Sequence, residues 1–283
     1  ATIRRQRQMC IRDRPTKTEA ADLMMARFGR HGEAPLPIVS ANSPSDCFAA
    51  AFEACRIAVR YRTPVILLSD GYLANGTEPW LLPDPDDLPD IATEFASVPN
   101  ALNEDGDDVF WPYMRNDDLA RPWAVPGTPG LMHRIGGIEK EDGTGNISYD
   151  PENHGRMVDL REERIDKVAE SYPATEVVGD DDAEILLVGW GSTWGAITGA
   201  TGRLRRAGHS VAHVHLRNLH PLPNDLGDIL AGRRHVIVPE MNLGQLTTLL
   251  RAKYLIDATV ISKVMGQPFT AGELVARIEE MVK

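Results

Sequence analysis

Thr16 and Glu19 stand three residues apart, the spacing of a capping box. In that arrangement a threonine hydroxyl accepts from the backbone N–H of the third helical residue while the glutamate reaches back to the cap. The pattern predicts a helix running through Leu23, Met24 and Phe28 and stopped by Gly29. A helix N-terminus carries unpaired N–H groups and partial positive charge, so an anionic substrate can rest there, with Lys17 reinforcing the attraction. Capping alone accounts for the same spacing.

Three other constellations invite chemistry. Gly189, Gly191 and Gly195 follow an apolar run and approach a dinucleotide fingerprint, but the last spacing is one residue too long. The next apolar run, Val211 to Leu216, ends at Arg217 rather than at an acid for a ribose, which suits NADP if it suits any nicotinamide. His213, His215 and His220 include two residues two apart, which share a strand face. With no Cys, Asp or Glu at ligand spacing beside them, they read as core or interface histidines. Ser69, Asp70, Gly71 and Tyr72 close a strand at the carboxyl end where open α/β sheets place ligands, although Asp-Gly is also ordinary turn chemistry. Glu240, Asn242, Gly244 and Gln245 follow another strand and read as a contact surface.

The elements that must position these residues alternate between strand and helix. Pro37 to Val39 is a short buried strand, and Ser43-Pro44 opens a long helix whose expected core stripe is Phe48, Phe52, Cys55 and Val59. Val65 to Ser69 is a β-branched and leucine run of the kind buried in a parallel sheet. From residue 80 to about 164 periodicity disappears; acidic, proline-rich sequence carries Phe110, Trp111, Tyr113 and Trp123, anchors expected to order an irregular crossing. Met157 to Tyr172 reads as a surface helix. A second unit follows, with strands at 185–190, 211–216 and 235–239, helices at about 194–206 and 246–254, and a last helix capped by Thr270 and Glu273. The expected class is α/β.

Composition narrows the partners. The 283 residues are 42% hydrophobic and carry a net charge of −11, enough for a sizeable core and opposed to a nucleic-acid surface, which needs clustered cations. No apolar run reaches the roughly 20 residues that span a bilayer, and a cytoplasmic location is expected. Cys10, Cys47 and Cys55 have no metal or cluster spacing; Cys47 and Cys55 share a helix too far apart to bridge, so reduced, buried thiols are expected.

PTKTEAADL with GRHGEAP, PVILLSDGYLA, AVPGTPG, ILLVGWGSTWGAI and VPEMNLGQL with GQPFT occur here in one order. In that order the chain resembles the α subunit of 2-oxoacid:ferredoxin oxidoreductases, the 2-oxoglutarate branch in particular, from about Pro15 to Lys283. The resemblance implies part of a pyrimidine-type thiamine diphosphate-binding domain at 15–79, the connector at 80–175 and a transketolase-C-terminal-like domain at 176–283. It implies oxidative decarboxylation of a 2-oxo acid with CoA to an acyl-CoA, succinyl-CoA for 2-oxoglutarate, with electrons passing to ferredoxin. Thr16 matches the family threonine that faces the substrate, and Lys17, His31 and Glu33 are lesser substrate-binding candidates. Thiamine diphosphate with Mg2+ and a [4Fe-4S] cluster would be held mainly by a β subunit, in an (αβ)2 assembly, because this sequence lacks the GDG motif and cluster cysteines that hold them. An NADP-binding subunit and a non-catalytic assembly subunit are the competing readings.

The basic, aperiodic Ala1 to Arg14 stands where the resembling family has a Gly-rich loop, and it is expected to be a non-native leader on a truncated fragment that is inactive alone. Sequencing the chromosome across this junction checks that expectation; an intact in-frame codon run for MCIRDR would overturn it.

Overall fold

The computed structural model describes residues 18–282. Among these, two sheets carry the architecture. The first is built on β1 (Ile38–Ser40), which pairs in parallel with β2 (Ile66–Leu68) through the intervening helix α2 (Asp46–Tyr61). The second, in the order β10-β9-β6-β7-β5, has a parallel centre: β6 (Ile185–Trp190), β7 (Val211–Leu216), β9 (His235–Glu240) and β10 (Ala258–Ser262). Its antiparallel edge is β5 (Val177–Val178). All six residues of β6 are buried, as expected of a central strand covered on both faces. Helices α5 (Trp194–Arg206) and α8 (Ala271–Met281) cover one face with Ile197, Leu204, Leu274 and Ile278; α7 (Gln245–Tyr254) contributes Leu246 and Leu250 to the other. The α/β class and the alternation in the second unit are as the sequence indicates.

The first sheet is not made from the first part of the chain alone. Its third strand, β8 (Asn218–His220), lies antiparallel to β1, and the Arg217 carbonyl accepts from Ser40 N at 2.8 Å. The two sheets are thereby laced together. Between them the chain runs through α3 (Gly71–Asn75), the two-residue strands β3 (Ala101–Leu102) and β4 (Asp108–Val109), and α4 (Pro151–Asp166). The crossing is irregular but anchored, as expected: Phe110 is buried, Phe95 stacks on Trp123, and the Arg62 guanidinium lies 4.1 Å from the Trp123 ring centroid.

Four expectations are corrected. The first helix among the described residues, α1, spans Leu23–Phe28 with Asp22 at its N-cap; Glu19 lies outside it in irregular chain, and Thr16 lies outside the described residues. The stripe of α2 that enters the core is Ala50, Ile57 and Tyr61, whereas Phe48 is 40% exposed and stacks on Phe52. That face packs Ala50, Ile57 and Tyr61 with Val39, Leu73 and Val168 in one cluster. Cys55 is exposed and Cys47 only half-buried. Finally, α4 begins at Pro151, where Asp150 accepts from Glu152 N, and it buries Met157, Leu160 and Ile165 instead of lying on the surface. The Asp-Pro-Glu start was readable as a cap followed by proline at the first helical position.

The core assignment sets relative costs. Ile57→Ala should destabilise by about 2–5 kcal/mol, the usual cost of emptying a closed site, and Phe48→Ala by clearly less because much of its ring already meets water. Urea denaturation of the two variants checks this, and equal losses would return Phe48 to the core.

Candidate functional site at the meeting of the two sheets

The carboxyl ends of β1 and β2 from one sheet and of β6 and β9 from the other meet around residues 19–22. A small notch there is lined by Glu19, Asp22, Ser40, Asp70, Trp190 and Gly191 among others. Open α/β sheets place ligands at strand carboxyl ends because helix N-termini and unpaired backbone groups gather there. The junction therefore puts the residues that follow Thr16 and Lys17 where chemistry is usually found.

Asp70 joins the two sheets. One carboxylate oxygen accepts from the backbone N–H of Tyr72 at 2.9 Å and of Leu73 at 3.1 Å, capping α3, and the other accepts from the Ser192 hydroxyl. The turn reading of Asp70 is correct, and the structure adds its contact with Ser192 of the other sheet. The glycine loop is consumed by the same contacts. A Cβ at Gly189 would lie 2.3 Å from Ile197 Cδ1, so this glycine permits close helix–strand packing; Gly191 adopts φ +59°. His215 Nε2 donates to the Gly191 carbonyl at 3.0 Å and holds the loop. Arg217, a candidate for a 2′-phosphate, is ion-paired with Asp46 at the start of α2. The loop and arginine that suggested NADP thus serve the contact between the sheets.

Bonded to Trp190 of the notch is Glu240, the last residue of β9 and fully buried. Its carboxylate accepts from Leu246 N at 2.8 Å, Thr247 N at 3.0 Å and Thr247 Oγ1 at 2.9 Å, from Asn242 Nδ2 at 3.0 Å and from the Trp190 indole at 3.3 Å. A buried carboxylate is tolerated only when its lone pairs are filled, and the N-terminus of α7 supplies both donors and favourable dipole. Sequence reading placed Glu240, Asn242 and Gln245 on a contact surface; burial and five donors were not legible, although an acid closing the apolar run HVIVP was a signal.

The histidines do not converge. His213 and His215 line one cleft of about 620 Å3 with Arg56, Tyr172 and Arg217, while His220 on β8 contacts the Leu36 carbonyl at 2.8 Å and borders a different hollow. Among the described residues no three His, Cys, Asp or Glu side chains gather as a metal site. Burial pushes His215 down to about 3 and His220 down to about 4, and lowers His213, so all three are neutral near pH 7. His31 and Glu33 are exposed in the loop after α1; Glu33 borders a hollow with Phe28, Pro35 and Asp159, and neither lines the notch. Thr16 and Lys17 lie outside the described residues.

The sequence profile of the family described as pyruvate flavodoxin/ferredoxin oxidoreductase, thiamine diphosphate-binding, matches residues 3–147, about half the chain. The chain belongs to this family. It is 52% identical over 264 residues to the 2-oxoglutarate oxidoreductase subunit KorA of Mycobacterium tuberculosis, covering 92% of this chain and 39% of that protein. Against the α subunit of 2-oxoacid:ferredoxin oxidoreductase 1 of Aeropyrum pernix it is 32% identical, covering 95% of this chain and 42% of the other. The fold superimposes with a TM-score of 0.83, at 34% identity, on a 2-oxoglutarate:ferredoxin oxidoreductase from Magnetococcus marinus with 2-oxoglutarate, coenzyme A and succinyl-CoA bound. That match covers 95% of this chain and 46% of the other. The chain thus spans less than half the length of these relatives.

Two predictions follow from the buried polar groups. Glu240→Gln leaves one lone-pair-bearing oxygen to serve donors now shared by two and should destabilise by about 1–3 kcal/mol, the cost of buried donors left unpaired; a thermal melt at the wild-type temperature would overturn it. Between the unfolded histidine value near 6.5 and the folded value of about 4 for His220, the unfolded chain takes up a proton that the fold refuses. Stability should therefore fall on acidification through that window, by up to ~1.4 kcal/mol per pH unit for each such histidine, and His220→Gln should lessen the fall in urea midpoint between pH 7 and pH 4.5.

Proposed function

We propose that this chain is part of the α subunit of a 2-oxoglutarate:ferredoxin oxidoreductase, a cytoplasmic enzyme of the 2-oxoacid:acceptor class. The reaction converts 2-oxoglutarate and CoA to succinyl-CoA and CO2, while two electrons leave singly to two ferredoxins. The observation that carries the reading is the 52% identity to the KorA subunit over 92% of the chain. The superimposable relative with 2-oxoglutarate, CoA and succinyl-CoA bound supports the choice of substrate.

Thiamine diphosphate supplies the decarboxylation chemistry when bound. The described residues do not fit its diphosphate and Mg2+, nor a [4Fe-4S] cluster: no acidic, histidine or cysteine cluster of ligand spacing exists among them, and the chain has three cysteines in all. Both groups are assigned to a β subunit in an (αβ)2 complex. The part left to this chain is substrate contact. Thr16 faces the 2-oxo acid in this reading, its hydroxyl donating to a carboxylate or a developing oxyanion. Lys17 adds charge attraction, and His31 and Glu33 are weaker candidates that the notch does not include.

The pyrimidine-type domain reaches to residue 79 and the transketolase-C-terminal-like domain begins at 176 in this reading. The junction of the two sheets supports it, since strand carboxyl ends from both parts surround the residues that follow Thr16. The NADP alternative is disfavoured because Asp70 and Asp46 already occupy the loop serine and the arginine it would need.

The test is CoA-dependent reduction of ferredoxin or a viologen dye by the assembled α–β enzyme. Thr16→Ala should lower kcat with 2-oxoglutarate about 100-fold, the usual cost of removing one donor to a developing negative charge. Unchanged kcat and KM would remove Thr16 from the site, and faster turnover of pyruvate than of 2-oxoglutarate would reassign the substrate.

A further inference from the structure

We propose that Gln245 and Asn242, set by the buried Glu240, are positioning residues that hold the segment carrying Thr16 in its working conformation; the inference rests on the role given to Thr16 above. Residues 18–22 belong to no helix or strand, so no ladder of their own fixes them. Their backbone bonds instead go to one loop of the other sheet. Asn242 Nδ2 donates to the Ala20 carbonyl at 2.7 Å, and Ala20 N donates to the Met241 carbonyl at 3.4 Å. Gln245 closes the clamp with both ends of its amide: Nε2 donates to the Ala21 carbonyl at 2.7 Å and Oε1 accepts from Met24 N at 2.9 Å. Four main-chain groups between Ala20 and Met24 are thus read by residues 241–245.

The amide of Asn242 cannot turn over. Its Oδ1 accepts from Gly244 N and Gln245 N, both at 2.8 Å, while Nδ2 faces the Glu240 carboxylate and the Ala20 carbonyl, two groups that only accept. Flipping it would leave four mismatched contacts in a buried site. Glu240, the Ala20 carbonyl and the Gly244 and Gln245 amides together impose this orientation. An apolar residue there would leave five donors unpaired, so the acid both satisfies them and fixes the direction in which the loop leaves β9. Ser262 Oγ, donating to the Asn242 carbonyl at 2.6 Å from the end of β10, braces the loop from behind.

Thr16 is four residues from Ala20, so even a fully extended chain keeps it within about 14 Å of the clamp. A displacement of about 1 Å at the reacting group costs on the order of 100-fold in rate. The second sheet thus acts on Thr16 in this proposal by fixing the exit direction of the segment at Ala20.

The experiment uses the assembled enzyme and Gln245→Ala. Gln245 is half-buried, and the groups it releases at residues 21 and 24 can turn to water, so folding survives. Hydrogen exchange over residues 18–24 should accelerate at least tenfold while the strands of the second sheet keep their protection. The kcat with 2-oxoglutarate should fall at least tenfold while KM for CoA stays unchanged, a split that a loss of interdomain adhesion alone would not produce. Leu243→Ala, a change to an exposed side chain of the same loop that makes none of these bonds, should alter neither readout. Unchanged exchange over 18–24, or faster exchange with unchanged kcat, overturns the proposal. A wild-type complex inactive on every 2-oxo acid would overturn the function reading instead, and the exchange comparison would still decide whether the clamp exists.

Discussion

The burial of the Glu240 carboxylate is the interaction on which the junction depends. Its five donors come from three places: the end of β6 through Trp190, the following loop through Asn242, and the first turn of α7 through Leu246 and Thr247. A single charged group thus fixes strand, loop and helix relative to one another. Any rotation of the loop unpairs a buried charge, and the steepness of that penalty makes the loop a rigid surface. The irregular segment at residues 20–24 is moulded against it.

The two sheets meet through groups of opposite character. Beside the seam, Asn242 is held by Glu240 within the second sheet's own unit and reaches the irregular chain at Ala20 through a neutral amide donor. At Asp70 and Ser192, and at Asp46 and Arg217, the contact is made by acids reaching from the first sheet to a hydroxyl and a guanidinium of the second. The antiparallel strand β8 adds main-chain bonds to the same seam. An acidic chain with net charge −11 can afford such contacts because each acid at the seam is neutralised or capped locally, while the remaining excess lies on exposed sequence such as 84–90 and 104–108.

Membership of the thiamine-dependent oxidoreductase family gives this architecture a purpose that the fold alone does not. Function resides in a site, and the described part of this site is a scaffold: strand ends, a capped acid and an amide clamp, without a metal-ligand cluster among the described residues. In the assembly proposed above the cofactor chemistry is assigned mainly to the β subunit, and the contribution proposed for this chain is the placement of a short polar segment.

Much of this was legible in residue order. The parallel units, the helix at 194–206, the strand at 211–216 and the capping box at Thr270 and Glu273 follow from local periodicity and capping, which act over a few residues and need no partner. Where the outcome depended on what an element packs against, sequence was insufficient. The α2 stripe went to Ala50, Ile57 and Tyr61, which cluster with Val39 and with Val168 more than 100 residues away, and the expected capping box at Glu19 gave way to chain pinned by Asn242 and Gln245 more than 220 residues away. The sequence by itself determined the α/β alternation and the motif order that names the family. Only tertiary structure decided that a β9 glutamate would be buried, that β8 would join the first sheet, and that two amides would hold the segment after Thr16, because hydrogen-bond partners distant in sequence are fixed by the closing of the fold and leave no periodic trace along the chain.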